Sequence, residues 1–227
     1  MSARTIIIGD IHGCTAELAD LLSLVAPKRQ DRLISVGDLV CKGPDSKGVL
    51  DWAMSAPNLE VVIGNHELRL LEHWTRGKRS HAKAYDAAVY DQLGADLDRY
   101  MNFIAGMPSM VSGPGFLVVH AGFDPREGLE WQSRATLTGI RRLEDGRPWF
   151  ESYRERTLAV FGHWAQRSAI VRPNAIGIDT GCVYGGALTA LILPERRLVC
   201  VPARRVYADK KKWDEAVSAP RFETEVR

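Results

Sequence analysis

Three short apolar runs near the start of the chain each end in a glycine followed by a polar residue. The runs are Thr5–Ile8, Arg32–Val36 and Val61–Ile63, and they are followed by Gly-Asp, Gly-Asp and Gly-Asn. Runs rich in β-branched residues are typical of buried strands. The segments between them, Cys14–Val25 and Lys47–Met54, are predicted to be helices. This repeat of strand, polar corner and helix predicts a parallel α/β core with a site at the carboxyl ends of its strands.

Five glycine-containing segments place metal-binding side chains at such corners. They are Gly9-Asp10-Ile11-His12-Gly13, Gly37-Asp38, Gly64-Asn65-His66-Glu67, Val119-His120-Ala121-Gly122 and Gly162-His163. Carboxylate, imidazole and amide groups are the ligands that a two-metal hydrolytic site needs. Coincidence is a poor explanation for five such corners in one chain. The pattern therefore predicts a metal-dependent hydrolytic centre.

The individual residues differ in how strongly each one, taken alone, indicates a metal site. Asp10 and His12 lie two residues apart, on one face of an extended strand, so both can reach one ion. Asp38 has two oxygens and can bridge two ions. A buried Asn65 is hard to explain as a core residue, because its oxygen and its nitrogen both need partners. Taken singly, each strand-end histidine is more often a hydrogen-bonded structural residue, and only the complete set indicates a metal site.

Composition excludes several classes of protein. The chain has 227 residues, of which 45% are hydrophobic and 26% are charged, as expected for one ordinary globular domain. The net charge of +2 tolerates an anionic substrate but does not indicate a nucleic-acid binder. No apolar run is long enough to span a bilayer, and Met1–Arg4 leaves no room for a signal peptide. The four cysteines are scattered and form no CxxC pair, so we predict reduced thiols in a cytoplasmic protein.

The second half of the chain is predicted to be a run of short strands. Phe116–Val119 leads into His120, and the later runs are Leu158–Phe161, Ala169–Val171, Ile176–Ile178, Leu188–Leu193 and Leu198–Val201. The turn residues between the later runs favour antiparallel pairing. A mixed polar helical stretch over 68–107 and an irregular stretch over 123–156 interrupt the pattern.

The motifs together resemble those of a known superfamily. The segments GDIHG, GDLVCKGPDS, GNHE, HAG and GHW are similar to those of the phosphoprotein-phosphatase superfamily of metallophosphoesterases. The segments FGHWA and DTGCVYGGALTAL resemble, more narrowly, the symmetrical diadenosine tetraphosphate hydrolases and the ApaH-like phosphatases. These motifs extend from residue 9 to residue 191, and they specify the superfamily better than the substrate.

The resemblance implies a fold and a domain organisation. The fold would be α/β, with two mixed β-sheets packed face to face and flanked by helices, as in the calcineurin-like metallophosphoesterase sandwich. We expect a single metallophosphoesterase domain over residues 1–208, with a helical insertion at about 68–107 and an irregular insertion at about 123–156. A charged C-terminal tail over 209–227 would follow.

The resemblance also implies a role for each corner residue. Two divalent ions would be held by a shared set of ligands: Asp10, His12 and Asp38 for the first ion, and Asp38, Asn65, His120 and His163 for the second. Asp38 and His66 would be catalytic, with His66 as the proton donor. We expect manganese first; iron, cobalt or zinc would also suit these ligands, and the sequence does not choose among them.

The implied reaction is in-line attack on phosphorus by a metal-bridging hydroxide. The expected substrate is a small nucleotide polyphosphate: cleavage of phosphoanhydride bonds in dinucleoside polyphosphates, with diadenosine tetraphosphate giving two ADP. The alternatives are a serine/threonine protein phosphatase acting on phosphoproteins, or an ApaH-like phosphatase acting on polyphosphate or capped RNA ends. A binding module that senses nucleotide without turnover is a third reading, and the complete ligand set argues against it. No membrane partner is expected.

Two departures from the superfamily pattern bear on the substrate. Cys41 occupies the position where serine/threonine phosphatases usually carry an Asp that orients the proton-donating histidine. Lys42 occupies the position of a phosphate-binding Arg, and an ammonium is a point charge where a guanidinium grips two oxygens. A nucleotide phosphate is a weak base, with a second pKa of about 6, so it leaves with little protonation. The loss of the carboxylate therefore favours an anhydride substrate over a phosphoserine.

Residues that contact the rest of the substrate are predicted from charge and aromatic character. The candidates are Lys42, Arg141, Arg142 and Tyr184, with Arg141 or Arg142 as a second phosphate clamp. Aromatic and cationic residues in the two insertions could stack a base or hold phosphates, namely Trp74, Arg76, Lys78, Arg79, Tyr85, Trp131, Arg134 and Trp149. The alternative is that the tryptophans fill a small subcore and the cations form a solvated face. His73 and His81 are predicted to be surface residues outside the site.

Overall fold

The computed structural model describes residues 3–77 and 83–209. Lys78, Arg79 and His81, and the predicted tail beyond Asp209, lie outside the described residues. The strands are β1 (Thr5–Ile8), β2 (Arg32–Ser35), β3 (Leu59–Val61), β4 (Met110–Gly113), β5 (Phe116–Val119), β6 (Leu158–Phe161), β7 (Ile170–Val171), β8 (Ala175–Gly177), β9 (Ala187–Leu193) and β10 (Arg197–Pro202). The α-helices are α1 (Thr15–Val25), α2 (Ser46–Ser55), α3 (Asn65–Thr75), α4 (Ala84–Leu93), α5 (Leu97–Ala105), α6 (Arg134–Gly139) and α7 (Trp149–Ser152).

The strands form two mixed sheets of five strands each. One sheet has the order β10-β9-β1-β2-β3, and β1, β2 and β3 are parallel, with Ile7 opposite Ile34 in register. The other has the order β4-β5-β6-β8-β7. The predicted α/β fold with two mixed sheets and outer helices is thereby confirmed.

Alternating side chains on the central strands fill three apolar layers, as the pleat requires. Ile7 on β1 packs with Val118 and Val160 in a layer that joins the two sheets. Its neighbour Ile6 faces the opposite way and packs with α1, α2, α3 and α5. Leu117 faces away from the other sheet and packs against the aromatic cluster around Trp149. The sheets therefore lie face to face, and both outer faces are covered.

The structure corrects several details of the sequence interpretation. β6 pairs in parallel with β5 and with β8, so the prediction that the later strands are antiparallel was wrong for β6/β8. It was confirmed for β7/β8 and β9/β10, and β4/β5 and β1/β9 are antiparallel as well. β4 was not predicted. The third strand ends at Val61, two residues earlier than expected, and the irregular stretch contains two short helices, α6 and α7. Among the described residues, no helix is long and apolar enough to cross a membrane.

An ion pair between the half-buried Arg4 and the buried Asp31 ties the first strand to the loop before β2. Arg4 donates to the Asp31 carboxylate from Nε over 3.0 Å and from its backbone N–H over 3.1 Å. The Arg4 hydrogen bond lowers the pKa of Asp31 from 3.8 to about 2. Because the folded-state pKa lies below the unfolded value, this contribution to stability is present above the unfolded pKa and is lost as the pH falls through about 2.

Asp31→Asn should therefore lower the free energy of unfolding by about 1–2 kcal/mol at neutral pH. Near pH 2 the difference from the wild type should be much smaller, because about half of the wild-type carboxyl is then protonated. Urea unfolding at both pH values measures this. An equal loss at the two values would contradict the role assigned to the ionised carboxylate.

Candidate active site

The predicted site residues gather where the two sheets present the carboxyl ends of their parallel strands. Asp10 and His12 follow β1, Asp38 follows β2, and His120 and His163 follow β5 and β6. His12, Asp38 and His163 have positive φ values of 50°, 51° and 64°. Non-glycine residues rarely adopt this conformation, and such strain is concentrated at functional sites. These backbone conformations direct the side chains of His12, Asp38 and His163 toward the same region.

The Asp38 carboxylate lies at the centre of this group. Its Oδ2 is 3.6 Å from His12 Nε2 and 3.9 Å from His66 Nε2, and its Oδ1 is 3.5 Å from His120 Nε2. Burial alone would raise the pKa of Asp38, but the surrounding His120, His66 and His12 hold it well below its ordinary value. Asp38 is thus ionised and has different imidazoles near its two oxygens.

Asn65 joins the two histidines of the second sheet. Its side-chain oxygen lies 3.0 Å from His120 Nε2 and 2.9 Å from His163 Nδ1. Asn65 is the first residue of α3 and not part of a loop corner as the sequence suggested. The helix start places its amide between the sheets, so one carbonyl oxygen and two ring nitrogens converge.

Asp10 completes the group from the β1 side. Its carboxylate accepts the backbone N–H of His163 at 3.1 Å and 3.3 Å. Burial, together with the carboxylates of Asp179 and Asp38, raises the pKa of Asp10 well above its ordinary value. A cation held among these carboxylates would offset their mutual repulsion.

The imidazoles are held with one nitrogen directed into the site. Nδ1 of His12 lies 3.0 Å from the Val40 carbonyl, and Nδ1 of His120 lies 2.8 Å from the Val36 carbonyl. A carbonyl can only accept, so in both rings Nδ1 carries the proton and Nε2 is free to act as a ligand. Burial, and then the charge of Lys42, lowers the pKa of His12 to about 3. His12 is therefore neutral, as metal binding requires.

The donor set fits a pair of divalent ions. One donor atom from each of His12, Asp38 and His66 lies within 4.8 Å of the others, and the same holds for Asp38, His120 and His163. Asp10, a predicted ligand of the first ion, belongs to neither group, and His66, the predicted proton donor, stands in the first. The two groups share Asp38. Mixed carboxylate, imidazole and amide donors suit manganese, iron, cobalt or zinc.

Comparison with known families shows which family this chain belongs to. The family described as Calcineurin-like phosphoesterase matches residues 3–185. The chain belongs to the calcineurin-like phosphoesterase family. It is therefore a hydrolase, and membership implies divalent metal ions. The resemblance stated from the motifs is confirmed.

Relatives within this phosphoesterase family have a narrower description. The chain is 30% identical over 266 aligned positions to the symmetrical bis(5'-nucleosyl)-tetraphosphatase of Janthinobacterium sp. (strain Marseille), with 87% of this chain and 95% of that protein covered. It is 30% identical, with the same coverage, to the protein of that description from Bordetella pertussis. A crystal structure of a protein provisionally assigned as a diadenosine tetraphosphatase has a TM-score of 0.79 at 33% identity and covers 89% of this chain and 95% of its own.

More distant phosphoesterases share the fold alone. A protein serine/threonine phosphatase from Saccharomyces cerevisiae superposes with a TM-score of 0.62 at 14% identity, covering 90% of this chain and 81% of its own. At this identity the likeness carries no information about the substrate.

Lys42 reaches into the site, where the sequence placed a phosphate-binding cation. Its Nζ lies 3.2 Å from His12 Nε2 and 5.3 Å from the centre of the Tyr184 ring. Burial would lower the pKa of Lys42, but Asp38 and then Tyr184 raise it above its ordinary value. A charged ammonium therefore stands beside the predicted ligands, with the half-buried Tyr184 next to it.

Arg141 and Arg142, the predicted phosphate clamps, have different surroundings. Arg141 is exposed and donates from Nη2 to the backbone carbonyl of His163 at 3.0 Å, so it lies at the rim of the site. Arg142 donates to the Gly146 carbonyl at 2.8 Å and lies over the Trp164 ring. The structure brings Arg141 close to the ligand group and turns Arg142 toward Trp164.

Most aromatic and cationic residues of the insertions have structural surroundings. Trp149 is fully buried in the aromatic cluster, Trp74 donates to Asp98, and Arg134 donates to the Met107 carbonyl. Trp131, by contrast, is 77% exposed. His73 is half-buried on α3, and its Nδ1 is buried without a hydrogen-bond partner, so the prediction that it is a surface residue was wrong.

Two acidic residues near the site were missed by sequence reasoning. Glu67 is fully buried, and its carboxylate accepts the backbone N–H groups of Asp38, Val40 and Gly64 at 2.9, 3.1 and 3.0 Å. Asp86, from α4, pairs with Arg69 beside His66. The GNHE segment could have revealed Glu67, since a glutamate at the third position of a helix commonly caps its start. Asp86 has no such local signal.

Proposed function

We propose that this chain is a dinuclear-metal phosphohydrolase that cleaves dinucleoside polyphosphates symmetrically, converting diadenosine tetraphosphate to two ADP. The observation that carries the proposal is the buried convergence of carboxylate and imidazole donors on Asp38, with the Lys42 ammonium beside them. The descriptions of the relatives at 30% identity support this substrate class.

Each side chain of the site has a place in this proposal. Asp10, His12 and Asp38 would hold one ion, and Asn65, His120 and His163, with Asp38 shared, would hold the other. When bound, the ions lower the pKa of coordinated water and stabilise charge on the phosphoryl oxygens. Manganese is our first choice of metal.

The protein's own groups would hold the substrate in line for the displacement. Lys42 would bind a phosphoryl oxygen as a point charge, next to the donors around His12. Arg141, at the rim, has a guanidinium that can bind a second phosphate, and Tyr184 flanks Lys42. His66 Nε2 lies 3.9 Å from Asp38 Oδ2 and would face the leaving oxygen.

The test is a panel of substrates with manganese present: diadenosine tetraphosphate, nucleoside triphosphate, polyphosphate, capped RNA and a phosphoserine peptide. We expect the highest kcat/KM for diadenosine tetraphosphate, ADP as the sole nucleotide product by chromatography, and loss of turnover on chelation with recovery on metal addition. Unequal products such as ATP and AMP would refute symmetric cleavage. A faster reaction with the phosphopeptide, polyphosphate or capped RNA would assign the chain to one of the alternative activities, and nucleotide binding without turnover would indicate a sensor.

A further inference from the structure

A cationic side chain contacts the His66 ring on the side away from the metal donors. Arg69 Nη2 lies 2.9 Å from His66 Nδ1. A guanidinium can only donate, so Nδ1 accepts this hydrogen bond and the ring proton lies on Nε2. Nε2 is the atom that faces Asp38, at 3.9 Å. The contact therefore selects the tautomer whose N–H points into the site, opposite to the tautomer of His12 and His120.

Arg69 is itself held in place from the helical insertion. Its Nε donates to Asp86 Oδ2 at 2.8 Å and its Nη2 donates to Oδ1 at 2.7 Å, a bidentate pair. The Asp86 side chain has no exposed surface, and Cys41 Sγ donates to its Oδ1 at 3.3 Å. Cys41, Asp86, Arg69 and His66 thus form a continuous series of hydrogen bonds in which every donor has an acceptor. The His66 ring therefore has one favoured orientation.

Tyr85 packs against both His66 and the Arg69 guanidinium. Its ring centre lies 5.6 Å from that of His66, and the Arg69 guanidinium carbon lies 5.4 Å from the Tyr85 ring centre. The guanidinium is thus packed between an aromatic face and a buried carboxylate, and little room is left for it to leave His66. The helical insertion reaches the site through this packing.

We propose that Arg69, held by Asp86, is a positioning residue that fixes His66 as the Nε2–H tautomer, so that His66 donates a hydrogen bond to the leaving oxygen and keeps its proton. This inference deepens the proposed function and rests on it. A neutral imidazole N–H is a much weaker general acid than an imidazolium, so it gives little help to the departure of a strongly basic alkoxide, but a hydrogen bond suffices for a nucleotide phosphate. The arrangement therefore selects weakly basic leaving groups.

The tautomer can be measured without turnover. The ring nitrogens of His66 are observed by NMR in wild-type protein labelled with ¹⁵N-histidine and loaded with zinc, and His66→Gln identifies the signals. We expect the ring proton on Nε2. A proton on Nδ1, or a mixture of tautomers, would overturn the proposal. Because this readout needs no substrate, it remains informative if the proposed hydrolysis of diadenosine tetraphosphate is not found.

Variants test the positioning role. Arg69→Met should lower kcat for diadenosine tetraphosphate about tenfold, the effect of losing one charge-assisted hydrogen bond, with KM within about twofold. Asp86→Asn should act in the same direction and stands in if Arg69→Met does not fold. The matched control is Asp31→Asn, which breaks another Arg–Asp pair far from the predicted ligands and should leave kcat unchanged. Wild-type kcat and a single tautomer in both site variants would overturn the proposal.

The wild-type protein also reports the kind of assistance that His66 gives. With aryl phosphates of graded leaving-group acidity, the logarithm of kcat should fall steeply as the leaving group becomes more basic, because no proton is delivered. A flat dependence would show that a proton is transferred and would overturn the selection for weakly basic leaving groups.

Discussion

Asp38→Asn should reduce metal-dependent phosphate release by at least about 1000-fold, equivalent to roughly 4 kcal/mol of transition-state stabilisation. Asp38 is the one residue whose two oxygens have different histidines near them, His12 and His66 on one side and His120 on the other. The amide removes the negative charge and replaces one acceptor oxygen by a donor, so it cannot serve both predicted ions. No other side chain of the group substitutes for this position.

The fold should survive this substitution. Asp38 Oδ1 accepts the backbone N–H of His66 at 3.0 Å, and an amide oxygen can keep that hydrogen bond. The measurements are phosphate release with manganese, bound metal per chain by elemental analysis, and thermal unfolding. We expect fewer bound ions and a melting temperature close to that of the metal-free wild type.

Asp124→Asn is the control for Asp38→Asn, because it neutralises a carboxylate that pairs with the exposed Arg126 outside the predicted ligand group. It should keep both turnover and metal content. If Asp38→Asn retained two ions per chain and a tenth of the wild-type rate, a shared ligand at this position would be ruled out.

The sequence predicted the placement of the ligand group well because the relevant signal is local. Asp10, Asp38 and His120 each follow a β-branched run directly, and the ends of neighbouring parallel strands meet at one edge of a sheet. The meeting of Asp10 and Asp38 therefore required only the correct strand assignment, whereas His120 follows β5 in the other sheet and reaches them through the packing of the two sheets. The metal-binding role of these residues stays a prediction that the experiments above address.

Pairing direction and long-range partners could not be read in the same way. β5 and β6 are parallel because the segment between them, including α6 and α7, crosses over from one end of the sheet to the other. That segment was predicted to be irregular and has no clear apolar period, so the sequence did not indicate the crossover. The pairing of Asp86 with Arg69 joins two helices across 17 residues, and no spacing rule indicates it.

Cys41 illustrates the limit of reasoning from one position. Its sequence position suggested that the orienting group for His66 is missing, and that reading considered only the carboxylate. In the structure Cys41 donates to Asp86, and Arg69 contacts His66 in place of an acidic residue. The superfamily's orienting carboxylate is therefore replaced by a different polar network around His66. Part of that network, Asp86, lies in α4, which the motif around Cys41 does not include.

Gly64→Ala should be strongly damaging, although glycine carries no functional group. A Cβ at this position would overlap both Oδ1 and the backbone nitrogen of Asp38 and would lie 2.6 Å from Glu67 Oε2. Glu67 is the acceptor for three backbone N–H groups that shape the Asp38 corner and the start of α3. We expect a loss of about 2–4 kcal/mol in the free energy of unfolding and at least about 100-fold in turnover.

The control is Gly139→Ala at the end of α6, where an added Cβ meets nothing within 4 Å. Alanine there should be neutral or slightly stabilising, since it lowers the entropy of the unfolded chain. Urea unfolding, metal content and phosphate release are compared for the two variants. Because both changes add the same methyl group, a difference between them measures the close approach at Gly64 alone. Wild-type stability and turnover in Gly64→Ala would mean that the Asp38 corner tolerates displacement, and the tight packing of Asp38 against Glu67 would then have no part in holding the site.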